Sequence, residues 1–321
     1  YIKLKILLTG STVFVGSALK SKLADYDLIE TVRKEPLDNS TNFYIKEMSS
    51  KEDFSECLKG IDVVIHMAAK VHQMNNKDNE KDDYLEINHK ATVNLALQAA
   101  NAGVKRFIFI STIKVNGEKT EHNKIYTYLD KPNPEDSYAI SKAKAEKGLL
   151  EVSNNTNLEV VIIRPPLIYG PAAKGNFLTL MKISKKNIPL PFKSIKNKRS
   201  FVSIDNLVDL IEVCIKHPNA KNNIFLVSDG LAVSTSKLIR LIRVAYGLKP
   251  NLFYINPFII KIIARMFRKE DMVNRLYDDL HVDIKHTKNN LDWYPPVTMK
   301  KVIKDCIDHE HKKSFNKYTK G

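Results

Sequence analysis

Cysteine, glycine and tryptophan are scarce in this chain of 321 residues, which holds three cysteines, 11 glycines and one tryptophan. Cys57, Cys214 and Cys306 lie far apart in the sequence, and no CxxC pair occurs. An odd number of scattered cysteines predicts neither a disulfide framework nor a zinc knuckle, and it indicates a reducing, cytoplasmic location. We also expect no metal site, because His309 and His311 have a spacing that does not converge on a helix.

Long apolar runs are also absent. No segment approaches the ~20 apolar residues that a helix needs to span a bilayer, so we expect no stable membrane insertion. The amphipathic segment NPFIIKIIARMFRK (256–269) could touch a membrane surface. Packing of this helix on the substrate lobe is the favoured interpretation.

Acidic residues are outnumbered, with 36 Asp and Glu against 51 Lys and Arg and a net charge of +15. Such an excess raises the possibility of nucleic-acid binding. The basic residues are spread along the chain rather than clustered, which favours a lysine-rich surface and no nucleic-acid partner. The positive field would also suit a small anionic substrate.

What the chain does have is an alternation of buried strands and helices. Continuous apolar runs in KILLTG, DVVIHMAA (62–69), RFIFIST (106–112) and EVVIIRP (159–165) predict strands covered on both faces, and helical segments lie between them. This pattern predicts an α/β fold: a doubly wound (Rossmann) parallel sheet with a smaller C-terminal substrate lobe. We place the dinucleotide-binding domain at 1–165 and the lobe at 166–321, with some later strands returning to the main sheet.

The first strand ends in the turn TGSTVFVG (9–16). Gly10 and Gly16 have the spacing of a TGxxGxxG fingerprint, in which backbone amides at a helix N-terminus bind a pyrophosphate. Val13 stands at the middle glycine position, where its branched side chain could weaken cofactor binding. Phe14 and Val15 complete the predicted contacts of this turn.

A tyrosine–lysine pair lies in the segment SYAISK (137–142). Tyr138 and Lys142 share one face of a helix, and we expect the ammonium to lower the pKa of the phenol toward a range useful for proton transfer. About 26 residues upstream, Thr112 follows a buried strand and offers a hydroxyl at the carboxyl edge of the sheet. Ala68 and Ala69, after another strand, leave room for a cofactor to pass.

Together these motifs resemble the extended short-chain dehydrogenases/reductases of the nucleotide-sugar epimerase/dehydratase group, over essentially the whole length. HMAA resembles the family's HxAA, STIKVNG its SSxxVYG, and YAISK its YxxxK. The resemblance implies Thr112, Tyr138 and Lys142 as catalytic residues, Lys142 also as a cofactor contact, and Asn88 as a structural asparagine. It further implies substrate contacts from Lys114, Asn176, Leu190, Phe192, Arg199 and Arg275.

Two departures bear on the cofactor and the substrate. The second strand normally ends in an acid that binds the ribose of NAD, but here Val32 stands there, followed by Arg33 and Lys34. A basic pair without the acid favours NADP(H), with NAD possible. Leu167 occupies the place where many epimerases of the group have an asparagine facing the sugar.

The resemblance is closest to the bacterial branch that handles UDP-4-keto-6-deoxy-N-acetylhexosamines for surface polysaccharide, whose members are often labelled UDP-glucose 4-epimerase. The favoured hypothesis is reduction of the C4 ketone of such a UDP-sugar. The alternative is a UDP-hexose or UDP-N-acetylhexosamine 4-epimerase with tightly bound NAD. A second alternative is a non-catalytic scaffold that binds the cofactor. The family also implies a homodimer.

Overall fold

A seven-stranded parallel sheet forms the centre of the protein. The computed structural model describes residues 3–33, 42–45, 47–70, 80–267 and 270–318. The strand order is β3-β2-β1-β4-β5-β6-β9, and every neighbouring pair is parallel. A separate parallel pair is formed by β7 and β8. The strands span Lys5–Thr9 (β1), Asp27–Val32 (β2), Asn42–Tyr44 (β3), Val63–His66 (β4), Arg106–Ile110 (β5), Glu159–Arg164 (β6), Leu167–Tyr169 (β7), Phe201–Ser203 (β8) and Asn223–Leu226 (β9).

Helices cover both faces of this sheet, which confirms the doubly wound architecture predicted from the apolar runs. A single π-helical turn, Leu85–Lys90, separates the second and third α-helices. The α-helices span Phe14–Lys22 (α1), Glu80–Tyr84 (α2), Ala91–Asn101 (α3), Ser137–Asn155 (α4), Asn176–Lys185 (α5), Ile204–Lys216 (α6), Thr235–Ala245 (α7), Pro257–Met266 (α8), Glu270–Tyr277 (α9), Lys285–Leu291 (α10) and Met299–Tyr318 (α11).

Successive residues of each central strand enter two different apolar cores. In β4, Ile65 packs into a core with α1 and α6, whereas Val64 packs into a core with α3 and α4. The same division holds for Ile108 and Phe107 in β5. Since side chains of a strand alternate between faces, a strand buried on both sides must be apolar throughout.

The helix ends follow local capping chemistry. Asp136 accepts a hydrogen bond from the amide of Ala139 at 2.7 Å and starts α4, and Ser234 does the same for Lys237 at 3.0 Å ahead of α7. Gly103 follows α3 with φ +80°. The amide of Val104 donates to the carbonyl of Ala99, as in a Schellman C-cap.

The second half of the chain contributes both to the sheet and to a separate cluster. Strand β9 pairs with β6 in the main sheet. Around β7 and β8, a third apolar cluster joins α5, α7 and α11, with Phe177, Ile242 and Ile303 among its members. The boundary at 165/166 remains a prediction.

Helix α8 meets the favoured prediction, packing on the substrate lobe, only in part. Ala264 is buried, but Phe258 and Met266 on the same helix are exposed. The helix packs against α9, where Phe258 and Ile262 line a cavity with Val273. No helix in the described ranges is long and apolar enough to cross a membrane.

Candidate functional site

The glycine turn lies where the strand order reverses, between β1 and β4. Gly10 has φ +79°, and a Cβ placed there would lie 2.7 Å from the backbone nitrogen of Ala68. A Cβ on Gly16 would lie 2.3 Å from the carbonyl oxygen of Gly10. Both positions therefore require glycine, the first for a left-handed turn against the β4 end and the second for close packing of helix on strand. This crevice is where doubly wound folds bind dinucleotides.

The start of α1 has the features of a phosphate site. Val13 precedes the helix without a side-chain cap, so the first-turn amides of Phe14 and Val15 stay available at the crevice while both side chains lie half-buried against the core. The Ser11 hydroxyl is buried and has no hydrogen-bond partner in the part of the chain that the structure describes. A diphosphate would satisfy that hydroxyl and the free amides together. The Val13 side chain is 46% exposed.

The end of β2 lacks an acidic side chain, as the sequence indicates. Val32 is half-buried and Arg33 is exposed. The only acid in β2 beyond Asp27 is Glu30, whose carboxylate binds Lys20 at 2.5 Å. Lys34, the second predicted 2′-phosphate contact, lies outside the described residues.

The three predicted catalytic residues gather at the carboxyl edge of the sheet. Thr112 follows β5, and its hydroxyl accepts a hydrogen bond from the amide of Lys114 at 3.3 Å. Lys142 is buried on α4, with its ammonium 4.0 Å from the ring centroid of Phe109 in β5. The Lys114 ammonium contacts Asp136 at 2.7 Å, which ties the turn after β5 to the start of α4, next to Tyr138.

The expected effect of Lys142 on Tyr138 is wrong for this structure. Burial raises the pKa of Tyr138 to about 12, and the nearby Asp136 and Tyr84 act in the same direction. Burial also lowers the pKa of Lys142 to about 7, although Glu146 opposes the shift. Burial therefore disfavours the charged form of both side chains, and Tyr138 keeps its phenol proton near neutral pH.

A buried hydrogen-bond chain connects the glycine turn with α4. His66 contacts the hydroxyl of Thr9 at 2.6 Å through Nδ1 and that of Thr92 at 2.9 Å through Nε2. The Asn88 amide binds the backbone of Lys70 and donates to the hydroxyl of Ser141 at 3.1 Å. These contacts give Asn88 the structural position that the family resemblance implies. Burial and the Lys142 charge lower the pKa of His66 to about 3, so this histidine is neutral.

Sequence reasoning missed a buried ionic network behind the predicted catalytic residues. Glu146 on α4 pairs with Arg164 at the end of β6, and it accepts a hydrogen bond from Ser111 at 2.5 Å. Arg164 also donates to the Asn116 side chain at 2.9 Å. The sequence feature that could have predicted this network is the arginine at the end of the apolar run EVVIIR, because a charge in a buried strand requires a partner.

The two predicted diphosphate arginines lie next to each other. The Arg199 guanidinium donates to the carbonyls of Arg275 at 3.0 Å and of Asp278 at 3.1 Å. Burial lowers the pKa of Arg199, and the charge of Arg275 adds to that effect. The Arg275 guanidinium is exposed, and no described residue forms a hydrogen bond or ion pair with it. The pair presents positive charge that an anion can complete.

The remaining predicted substrate residues differ in availability. Asn176 is exposed at the start of α5, directly after Gly175 with φ +74°. Phe192 is half-buried, whereas Leu190 is buried in a cluster with Ile239 and Leu252, and its backbone amide and carbonyl pair with Asn251 and Phe253. The Lys114 ammonium already pairs with Glu118 and Asp136. Burial disfavours its charge, but these two carboxylates outweigh burial and raise its pKa.

Comparison with known proteins agrees with this geometry. Residues 6–228 match the model of the NAD dependent epimerase/dehydratase family. The chain belongs to this family. UDP-glucose 4-epimerase of Vibrio cholerae is 46% identical over 305 residues, which cover 93% of each chain. UDP-glucuronic acid 4-epimerase from Bacillus cereus, solved with NAD, superposes with a TM-score of 0.75 at 21% identity, over 95% of this chain and 96% of that one. UDP-glucose 4-epimerase from Thermotoga maritima, solved with UDP-glucose, gives 0.73 at 21% identity, over 97% and 99%.

Membership of the epimerase/dehydratase family confirms the resemblance drawn from the motifs, the α/β fold and the prediction of an enzyme. At 21% identity the two solved structures support the fold alone. The roles of individual residues, the preference for NADP(H), the homodimer and the link to surface polysaccharide remain predictions.

Proposed function

We propose that this enzyme is a 4-epimerase of a UDP-sugar that uses a nicotinamide dinucleotide held at the β1/β4 crevice. The observation that carries the proposal is the 46% identity with the UDP-glucose 4-epimerase of Vibrio cholerae, extending over 93% of both chains. The exposed Arg275, which lies next to Arg199, supports a diphosphate substrate.

The glycine turn and the start of α1 would hold the dinucleotide diphosphate, with Gly10, Gly16 and the unpartnered Ser11 hydroxyl as its cradle. Ala68 and Ala69, half-buried after β4, would line its path. When bound, the nicotinamide supplies the hydride chemistry at C4 of the sugar.

Tyr138 would move the proton at the C4 oxygen, and the Thr112 hydroxyl would bind the same oxygen. With its pKa raised to about 12, the phenol is a proton donor in the free protein. Taking a proton from a sugar hydroxyl requires the ionised form, so ligand binding must offset the effect of burial. Lys142, whose pKa lies at about 7, is the nearby group on α4 that can supply the positive charge.

Arg199 and Arg275 would bind the substrate diphosphate, and Asn176 and Phe192 would contact the nucleotide end. Lys114 would reach the substrate only by sharing its ammonium with Glu118 and Asp136. Leu167 lies half-buried in β7, and its side chain would offer the sugar no hydrogen bond at the position where an asparagine would.

A second candidate, reduction of a UDP-4-keto-6-deoxy-N-acetylhexosamine, is favoured by a specific feature. Val32 ends β2 without a ribose-binding acid, and the exposed Arg33 follows. That arrangement suits NADPH, which a reductase consumes and an epimerase does not need.

One experiment separates these candidates. Purified protein is mixed with UDP-glucose or UDP-N-acetylglucosamine without added cofactor, and separately with NADPH and the 4-keto sugar. An epimerase interconverts the C4 epimers without net cofactor loss, whereas a reductase consumes NADPH in proportion to the ketone. Tyr138→Phe should lower kcat by about 10²- to 10⁴-fold while leaving dinucleotide binding intact. A protein inactive in both assays, with no dependence on Tyr138, would be a scaffold and would overturn the proposal.

A further inference from the structure

The strongest unexplained surface is the outer face of the α8 segment. Seven of the 17 exposed large apolar side chains of the described residues fall between positions 253 and 267. Phe258, Met266 and Phe267 are 68%, 76% and 69% exposed. We define the α8 patch as Phe253, Tyr254, Phe258, Ile259, Ile262, Met266 and Phe267.

Three members of the patch lie on one side of helix α8. Phe258, Ile262 and Met266 follow each other at spacings of four residues, so they stack on one face. Ala264 is buried, and it lines a cavity against α9 together with Phe258, Ile262 and Val273. A helix with one face on the protein and an apolar face in water leaves that apolar face for a partner.

The excess of basic residues in the sequence around the patch favours an anionic partner. In sequence, residues 256–275 contain Lys261, Arg265, Arg268, Lys269 and Arg275 against Glu270 and Asp271. The Arg265 side chain is 81% exposed, although its guanidinium reaches Glu270 at 3.0 Å. An apolar stripe with flanking basic residues is the pattern of a helix that lies in the interface of an anionic membrane.

A second copy of this chain fits the patch less well. A two-fold contact would bring the basic residues of both copies together, and each chain already carries a net charge of +15. An anionic bilayer supplies both the apolar layer and the opposite charge.

We propose that the α8 patch docks the protein on the surface of an anionic lipid bilayer, with Phe258, Met266 and Phe267 inserted between the headgroups. The docking is peripheral, since no described helix can span a membrane. It places α9, which packs against α8, next to the bilayer surface.

The test is flotation of the purified full chain with vesicles of phosphatidylcholine alone and of equal parts phosphatidylcholine and phosphatidylglycerol. We expect binding to the anionic vesicles only, weakened by salt. The triple variant Phe258→Ser/Met266→Ser/Phe267→Ser should bind at least about tenfold more weakly, because each side chain loses apolar burial in the interface. Leu129→Ser, which changes an equally exposed residue (75%) outside the patch, should bind like the wild type.

All three altered side chains are exposed, so thermal unfolding should be unchanged and the variant remains interpretable. Absence of vesicle binding by the wild type would overturn the proposal, as would equal binding by the triple variant. A change of oligomeric state on light scattering, without vesicle binding, would make the patch a protein–protein interface and would also overturn it.

Discussion

Glu146 and Arg164 form an ion pair that is almost completely removed from water, with side chains 4% and 3% exposed. The pair joins α4 to β6 directly behind Ser111 and Thr112. Glu146 also lies one helical turn after Lys142 and favours the charge of that lysine. Glu146 thus connects α4, which carries two of the proposed catalytic residues, to β6 through Arg164 and to the residue before Thr112 through Ser111.

Breaking this pair from one side should be costly. Glu146→Gln leaves the Arg164 charge buried without its partner, and we expect the free energy of unfolding to fall by about 3–5 kcal/mol. The double variant Glu146→Leu/Arg164→Met removes both charges and should recover a large part of that loss. Urea unfolding of the singles and the double variant measures the coupling. As a control, Asp305→Asn breaks the exposed Lys301–Asp305 pair and should cost less than about 1 kcal/mol. Additive effects of the two buried substitutions would contradict the expectation.

The sequence predicts the sheet well because burial on both faces leaves a continuous apolar signal. The segments 5–9, 27–32, 106–110 and 159–164 are strands as expected. Short elements such as Asn42–Tyr44 and Leu167–Tyr169 escape prediction, since three residues carry no periodicity. Capping acts locally, so the sequence limits the cap of α4 to Asp136 or Ser137 and indicates Ser234 for α7; Asp136 and Ser234 are the observed caps.

For the site, residue types and positions could be predicted, but their electrostatics could not. The spacing of Tyr138 and Lys142 predicts that they lie on one face of a helix, and both residues lie four positions apart on α4. The direction of the Tyr138 pKa shift depends on burial, and burial is a property of the whole fold. The exposed face of α8 was missed for the same reason, because an amphipathic pattern does not show which partner covers it.

Lys142 should destabilise the fold near neutral pH. Its pKa is about 7 in the folded protein against 10.5 in the unfolded chain, so between these values only the unfolded chain binds the proton. Stability therefore rises with pH over this window, by about 1.4 kcal/mol per pH unit from this group. Lys142→Met should be more stable than the wild type at pH 7.5 by on the order of 2 kcal/mol, with the difference shrinking toward pH 9.

Chemical denaturation at several pH values measures this difference. Lys147→Met is the matched control, because Lys147 lies on the same helix with its side chain 81% exposed. The control should show no pH-dependent gain. If the stability of Lys142→Met equalled that of the wild type at every pH, burial would not disfavour the charged form of Lys142.

Comparing Gly10 with Gly247 distinguishes two reasons why a position requires glycine: contact with neighbouring atoms and a left-handed backbone conformation. Both have positive φ, +79° and +71°, but only a Cβ on Gly10 would meet other atoms, at 2.7 Å from Ala68. Gly247→Ala should cost about 1 kcal/mol from backbone strain alone. Gly10→Ala should cost more and should also abolish dinucleotide binding, as measured by thermal unfolding and calorimetric titration. Equal effects of the two substitutions would remove the argument that this turn must touch the end of β4.

Val13 is the feature that sets this turn apart from a complete glycine fingerprint. It precedes α1 in an extended conformation, φ −87° and ψ 172°, which glycine also adopts without strain. Val13→Gly removes the branched side chain next to the proposed diphosphate position, and glycine is a better residue than valine before a helix. We expect the fold to keep its stability and the dinucleotide to bind about tenfold more tightly, which corresponds to about 1.4 kcal/mol. Titration calorimetry with NAD and NADP measures both affinities, and Thr12→Gly, at an exposed position of the same turn, controls for added backbone freedom. Unchanged or weaker binding by Val13→Gly would mean that the valine does not obstruct the diphosphate, and that its partly exposed side chain points away from the crevice.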